Sequence, residues 1–359
     1  MSERSDKNWP KDEFARHEVY AQLWWLLPFV GLLAFLIWPR LKQFTSRDPN
    51  TVILYCAQDQ TYAELLLKQF EQETGIKVKA VYDSEAVKTV GLANRLLAER
   101  SHPQCDVFWG NEELRTRQLA AQNVFRETNG WAAFGHRSRR IVINTNLVSL
   151  AEPTPNPSKE GSADTTRAGT SSPPGRGQGW VAPSSLMDLT NVQWRGKVAL
   201  AYPQFGTTAA HFHVLRQQWG ESNWLTWSKA LIANEAKLVD GNSVVVKLVG
   251  RSEAAIGLTD SDDILAGQRE GLPVAMLPLG PESLLIPNTA AVIRDAPHAA
   301  AAQKLFDWLQ KPEAAQRLVE ANALEGADKP GSVGLQPDWP ALLRELDATT
   351  KQLNEVFLK

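Results

Sequence analysis

The chain has 359 residues, of which 43% are hydrophobic and 22% are charged. This composition supports buried cores and excludes an intrinsically disordered protein. The formal net charge is −2, so no global basic field is available to bind nucleic acid, and we expect no nucleic-acid partner.

An uncharged run lies close to the N-terminus. Residues 23–38 carry no charged side chain, and Trp24, Trp25 and Trp38 stand at its two ends. As a helix this run covers roughly 24 Å at about 1.5 Å per residue, slightly less than a bilayer core, and aromatic rings at the ends favour the headgroup region. We predict an uncleaved transmembrane anchor at residues 21–39 after a cytoplasmic tail of residues 1–20. A cleaved signal peptide is the alternative.

Short apolar runs alternate with helical patterns after the anchor. Residues 51–57 (TVILYCA) and 105–109 (CDVFW) are typical of buried strands. Alternating strands and helices predict βαβ units around a parallel sheet, with ligands at the carboxyl ends of the strands. Asp59 follows the first of these strands, and Asn111 and Glu112 follow the second. Each can contact ligand, or can simply cap a turn or a helix.

A second set of strands and helices begins near residue 198. Gly206, Thr207 and Thr208 lie between a strand and a helix, where free backbone N–H groups and the helix dipole can hold an anion. Ordinary helix capping by the threonines is the alternative.

Two further strand ends in this second set carry polar side chains. Asp240 and Asn242 follow one strand, and Asp260 and Asp262 follow the next. Close carboxylates repel one another, so either some are exposed caps or a cationic group lies between them.

The order of these elements predicts an α/β protein of two lobes. Residues 51–140 and 275–359 form lobe 1, and residues 141–274 form lobe 2. Apolar runs at 140–144 and 273–278 are predicted to cross between the lobes as a two-strand hinge, and a last helix at 340–358 is predicted to brace lobe 1. Residues 152–185 are dense in Pro, Gly, Ser and Thr, which predicts a flexible insertion within lobe 2.

The chemistry of the remaining residues gives no enzyme signature. No G-x-S-x-G, H-E-x-x-H or P-loop motif occurs, and the six histidines are scattered. We therefore expect no catalytic activity and no catalytic cofactor, although a hydrolase or transferase built on a carboxylate-rich cleft is an alternative. Cys56 and Cys105 lie in apolar runs that suit buried structural thiols, and a disulfide between them stays open.

Eight segments, in their order along the chain, resemble the ferric-iron-binding family of ABC-transporter solute-binding proteins (family 1, type 2 periplasmic binding proteins). The resemblance extends from about residue 51 to about residue 323, apart from the insertion. It implies two lobes joined by crossover strands, which close on a ligand outside the cytoplasm, in the periplasm or extracellular space. It also implies delivery of the ligand to ABC permease subunits, and we expect a monomer. The segments are TVILYCAQDQ, TGIKVKAVYDSEA, CDVFWGNEE, HRSRRIVINTNLV, PQFGTTAAH, LVDGNSVVVKLV, EAAIGLTDSDD and LLIPNTAAVI.

The resemblance also implies positions for the site. Asp59 stands where iron binders of the family have a histidine, and Asn111 or Glu112 stands where they have a glutamate. The family's adjacent tyrosine pair falls near Ser261 and Asp262, and this chain has no tyrosine there.

The anion half of the family's site is better matched. The anion-binding turn of the family matches Gly206 to Thr208, and its asparagine matches Asn242. An anion can therefore be the whole ligand.

The leading hypothesis is a membrane-tethered binding protein for ferric iron, held with or without a synergistic anion. Its alternatives are a binder of an organic or inorganic anion such as a phosphonate, and an anchored ligand-sensing module. The candidate metal ligands are Asp59, Glu112, Asp260 and Asp262. The full set of candidate ligand-binding residues is Asp59, Asn111, Glu112, Gly206, Thr207, Thr208, Asp240, Asn242, Asp260 and Asp262.

Overall fold

Alternating strands and helices open lobe 1, as the sequence predicts. The computed structural model describes residues 48–83, 88–150, 180–328 and 333–358. Gly75, at φ 72°, ends the first helix in the left-handed conformation that glycine adopts without strain. The elements are β1 (Thr51–Cys56), α1 (Gln60–Thr74), β2 (Lys77–Tyr82), α2 (Lys88–Glu99), β3 (Val107–Gly110) and α3 (Glu113–Ala121).

Lobe 2 follows the longest strand, β4 (Trp131–Asn144). It contains two short 3₁₀ turns, Leu186–Thr190 and Val192–Trp194, in addition to its helices and strands. Its elements are β5 (Val148–Ser149), β6 (Trp180–Val181), β7 (Val198–Ala201), α4 (Gly206–Trp219), α5 (Glu221–Ala233), β8 (Lys237–Val239), α6 (Asn242–Gly250), β9 (Ile256–Asp260), α7 (Ser261–Arg269) and β10 (Val274–Met276).

The chain then returns to lobe 1 through β11. The remaining elements are β11 (Leu285–Val292), α8 (Ala299–Leu309), α9 (Pro312–Glu320) and α10 (Trp339–Phe357). The strand order is β2-β1-β3-β11-β4-β9-β7-β8, with β10 paired to β4. β1 is parallel to β2 and β3, and β7 is parallel to β8 and β9, so each lobe has the parallel strands that the sequence predicts.

β4 is the first crossover between the lobes. Its residues 131–138 pair with β11 of lobe 1, and its residues 139–143 pair with β9 of lobe 2. The return crossing lies slightly later than predicted: β10 still pairs with β4 inside lobe 2, and the chain crosses over residues 277–285. The apolar pattern at 273–278 predicts a strand but contains no information about its pairing partner.

The last helix bridges the lobes instead of bracing lobe 1 alone. α10 packs on α4 and α5 of lobe 2 as well as on α3 of lobe 1. The ring of Phe357 lies 5.6 Å from that of Phe212, and Gln204 donates a hydrogen bond to the carbonyl of Leu353. The amphipathic pattern identifies a buried face on this helix, but not the lobe that covers it.

The insertion predicted at 152–185 ends earlier than expected. Trp180 and Val181 pair with β5, and the indole of Trp180 packs 5.8 Å from that of Trp194. Ser185 caps the first 3₁₀ turn. Residues 152–179 and the predicted anchor at 21–39 lie outside the described residues. Among the residues that are described, no helix is long and apolar enough to cross a membrane.

Both cysteines are buried thiols. Cys56 ends β1 and Cys105 lies two residues before β3, and no disulfide joins them. Burial raises the pKa of the Cys105 thiol well above its ordinary value. A structural role, as predicted, fits this environment.

Candidate functional site

Strand ends and helix starts from both lobes border one cavity of about 60 Å³. A cavity needs a volume of roughly 15 Å³ to hold one buried water, so this cavity has room for about four water-sized groups. It is lined by Asp59, Asn111, Arg137, Ala201, Tyr202, Phe205, Gly206, Thr207, Thr208, Asp240, Gly241, Asn242, Asp260, Asp262 and Asp263.

The lobes touch each other beside this cavity. Arg269 of lobe 2 donates to the hydroxyl of Tyr62 in lobe 1 at 3.0 Å and to the carbonyl of Ala321 at 3.2 Å. These contacts hold the two sides of the cavity together.

The structure brings nine of the ten predicted site residues to the cavity, and their contact with ligand stays a prediction. Glu112 is the exception. Its side chain is 1% exposed and turns inward, where Oε1 and Oε2 accept from the backbone N–H of Arg115 at 3.0 and 3.2 Å. Burial raises the pKa of Glu112 to about 7, against the charge of Arg115 and the hydrogen bonds at the helix start. Glu112 therefore caps α3, in the role that the sequence left as the alternative.

Asp260 is the most heavily bonded group at the site. Its Oδ1 accepts from Nη1 of Arg139 at 2.8 Å. Its Oδ2 accepts from Oγ1 of Thr207 at 2.7 Å, Nδ2 of Asn242 at 3.2 Å and Nε of Arg137 at 3.3 Å. The carboxylate is thus an internal anion that already accepts four hydrogen bonds, one on Oδ1 and three on Oδ2.

Two opposing effects act on the pKa of Asp260. Burial alone raises this pKa, whereas the charges of Arg139 and Arg137 and the hydrogen bonds from Arg139 and Thr207 lower it. The arginines prevail, so Asp260 is ionised at neutral pH.

Arg137 and Arg139 are site residues that the sequence analysis missed. They lie two positions apart on β4 and are 2% and 0% exposed. Besides Asp260, Arg137 donates to Oδ1 of Asn288 and to the carbonyl of Asn111. Arg139 donates to Oδ1 of Asn242 at 2.8 Å. The sequence contains one signal for them, which is two arginines at alternate positions of a strand. Arginine side chains are buried only with carboxylate partners, so this pattern predicts buried ion pairs.

Four helices begin at the cavity without a side-chain cap. α1, α4, α6 and α7 follow Asp59, Phe205, Gly241 and Asp260. Gly241 has no side chain, and the side chains of the other three make no capping hydrogen bond. The first N–H groups of a helix have no partner inside the helix, and its dipole places partial positive charge at this end. Together the four helix starts favour negative charge in the cavity.

Asp262 and Asp263 add two carboxylates to the cavity, and these favour a cation instead of an anion. The carboxylate oxygens of Asp260, Asp262 and Asp263 lie within 4.8 Å of one another. Burial raises the pKa of Asp262 to about 7; the charge of Arg137 opposes this rise, and the charges of Asp260 and Asp59 reinforce it. These hard oxygens could hold a cation, but of the four predicted metal ligands Glu112 is turned away and Asp260 already accepts four hydrogen bonds.

The family model described as bacterial extracellular solute-binding protein matches residues 52–321. Iron-bound HitA from Pseudomonas aeruginosa is 18% identical, with a TM-score of 0.66 over 85% of this chain and 99% of that chain. The ferric binding protein from Campylobacter jejuni is 15% identical, with a TM-score of 0.65 over 85% and 99%.

A third similar structure holds a phosphate ester. AfuA from Actinobacillus pleuropneumoniae, with exogenous fructose-6-phosphate bound, is 14% identical, with a TM-score of 0.64 over 86% of this chain and 98% of that chain. At these identities the structures show a shared two-lobed fold, as the resemblance implies. From the family match, this chain belongs to the bacterial extracellular solute-binding proteins.

Proposed function

We propose that this chain is the extracytoplasmic binding protein of an ABC transporter and that it captures a small anion in the cavity between its lobes. The observation that carries the proposal is the convergence of four uncapped helix starts on one interlobe cavity. Each such start places about half a positive charge at the cavity, which favours an anion there.

The size of the cavity limits the ligand. About 60 Å³, or roughly four water-sized groups, suits a tetrahedral oxyanion and is too small for a sugar ring with the lobes in this position. The charges of the side chains do not choose the ligand, because Arg137 and Arg139 pair with Asp260 and Asp262. The case for an anion rests on the helix starts, and the first residues of α4, Gly206 to Thr208, line the cavity.

Ferric iron with a synergistic anion is the second candidate. It is favoured by the oxygen cluster of Asp260, Asp262 and Asp263, with Asp59 across the cavity. Against iron, Glu112 is turned away from the cavity, Asp260 already accepts four hydrogen bonds, and the family's tyrosine pair is absent. The anion is therefore the better-supported ligand.

Calorimetric titration of the purified chain tests both candidates. We expect inorganic phosphate to bind, and ferric citrate to add nothing beyond citrate alone. Phosphate at 100 times its Kd should then stabilise the fold by about 2.7 kcal/mol. Binding of ferric iron but of no oxyanion would replace the first candidate with the second, and binding of neither would contradict both.

The proposed role includes a tether and a partner. Residues 21–39 would anchor the protein in the membrane with its lobes outside the cytoplasm, where an ABC permease receives the ligand. The alternative is an anchored ligand sensor, and genes for a permease and an ATPase beside this one would argue for transport. Extraction of the full-length protein by alkaline carbonate would contradict the anchor.

A further inference from the structure

One carboxylate oxygen at the cavity has no hydrogen-bond donor. Asp262 lines the cavity and is 5% exposed, and no described group donates a hydrogen bond to its Oδ1. The nearest cation is Arg137, whose Nε lies 3.5 Å from Oδ1 in an ion pair. That nitrogen has a single hydrogen, which it donates to Oδ2 of Asp260 at 3.3 Å. The ion pair therefore leaves the lone pairs of Oδ1 unfilled.

An unfilled acceptor of this kind is unusual in a folded protein. The large majority of buried polar side-chain atoms have a hydrogen-bond partner, and an exception at a binding cavity points to a missing group. The first backbone N–H groups of α4, at Gly206 to Thr208, border the same cavity and can only donate. A ligand that satisfies both sides must accept hydrogen bonds from the helices and donate one to Asp262.

We propose that Asp262 selects for an anion that carries its own hydrogen-bond donor, a proposal that rests on the anion-binding function above. Two chemical groups supply such a donor: the P–OH of a hydrogen phosphate, and the ammonium of a zwitterion. Sulfate has neither, so its oxygens would face the Asp262 carboxylate with only lone pairs. A site built to receive a donor rejects analogues that lack it far more strongly than an apolar pocket rejects a missing methylene.

Two matched pairs of ligands test this selection on the full-length protein by calorimetry at about pH 8. The first pair is phosphate, which keeps one P–OH at this pH, against sulfate. The second is 2-aminoethanesulfonate, a zwitterion, against ethanesulfonate. We expect the donor-bearing member of at least one pair to bind at least about 100-fold more tightly, and the pair that shows the difference identifies the donor. Equal affinity within both pairs overturns the inference and leaves the proposed function standing; no binding of any of the four overturns both.

Two substitutions separate the hydrogen bond from the charge. In Asp262→Asn the amide can turn its NH₂ toward the ligand, so the preference within the selective pair should fall to less than about tenfold. Asp240→Asn removes a carboxylate from the exposed rim of the same cavity. This variant should bind both ligands of the pair more tightly by the same factor, so the ratio of their affinities should stay unchanged. An Asp240→Asn variant that loses the preference, or an Asp262→Asn variant that keeps it, would show that overall charge, and not the Asp262 acceptor, sets the selectivity. The wild-type comparison decides the question even where a variant does not fold.

Discussion

Replacing Glu112 with glutamine should change how the stability of the protein depends on pH. Glu112 is buried at the start of α3, and burial is the main cause that raises its pKa from 4.5 to about 7. An amide oxygen can still accept from the N–H of Arg115, so Glu112→Gln keeps the cap and removes only the titration.

The sign and size follow from proton linkage. Between about pH 4.5 and pH 7 the folded protein holds a proton on Glu112 that the unfolded chain has released, so the free energy of unfolding falls as the pH rises through this window. A difference of about 2.5 units at 1.36 kcal/mol each makes this fall about 3 kcal/mol. The glutamine variant lacks this fall and should be the more stable protein above about pH 7.

Urea unfolding of both proteins at intervals from pH 5 to pH 8 measures the difference. Buried His211 and His213, whose pKa values burial lowers to about 3, cost stability as the pH falls below 6.5, but equally in both proteins. Glu113→Gln, one residue later on the same helix, reports any general effect of the substitution. If the difference in free energy of unfolding between wild type and Glu112→Gln stays constant within about 1 kcal/mol over this range, the pKa of Glu112 is not raised by burial.

Three further outcomes can be measured on the same protein. Arg137→Met should lower the free energy of unfolding by about 3–5 kcal/mol in urea melts, because it leaves buried carboxylates without their cation; a loss below about 1 kcal/mol would contradict the ion pairs. Gly206→Ala should cost about 1 kcal/mol and weaken phosphate binding in calorimetry, since its φ is +54° while an added Cβ meets nothing within 4 Å. The matched Gly280→Ala change, with equal space and no such φ, should alter neither quantity. Ellman's reagent should find no reactive thiol in the native protein and two after unfolding, and fast native labelling of Cys56 or Cys105 would be inconsistent with their burial.

The sequence predicts much of the lobes and of the cavity because both follow from local patterns. Apolar runs alternating with helical spacing define the parallel strands, and the carboxyl ends of parallel strands meet at one edge. Polar residues that directly follow these strands, such as Asp59, Gly206 and Asp260, therefore come together.

The arginines and the orientation of Glu112 could not be predicted in this way. Arg137 and Arg139 bond to Asp260 across 123 and 121 residues, and their pairing depends on β4 running through both lobes. The predicted hinge strand began only at residue 140, so both arginines fell outside it. Asn111 and Glu112 are adjacent, and one turns to the cavity while the other turns into the lobe, because the start of α3 needs an acceptor for the N–H of Arg115. Such choices are decided by packing and not by sequence spacing.

A crystal structure of the protein grown with millimolar phosphate would show the ligand and its site together. We expect one tetrahedral anion between the lobes, held by the first N–H groups of α4 at Gly206 to Thr208 and facing Asn111 across the cavity. A metal ion bound by Asp59, Asp262 and Asp263 in that place, or an anion bound elsewhere while this cavity stays closed to it, would overturn the proposed anion site.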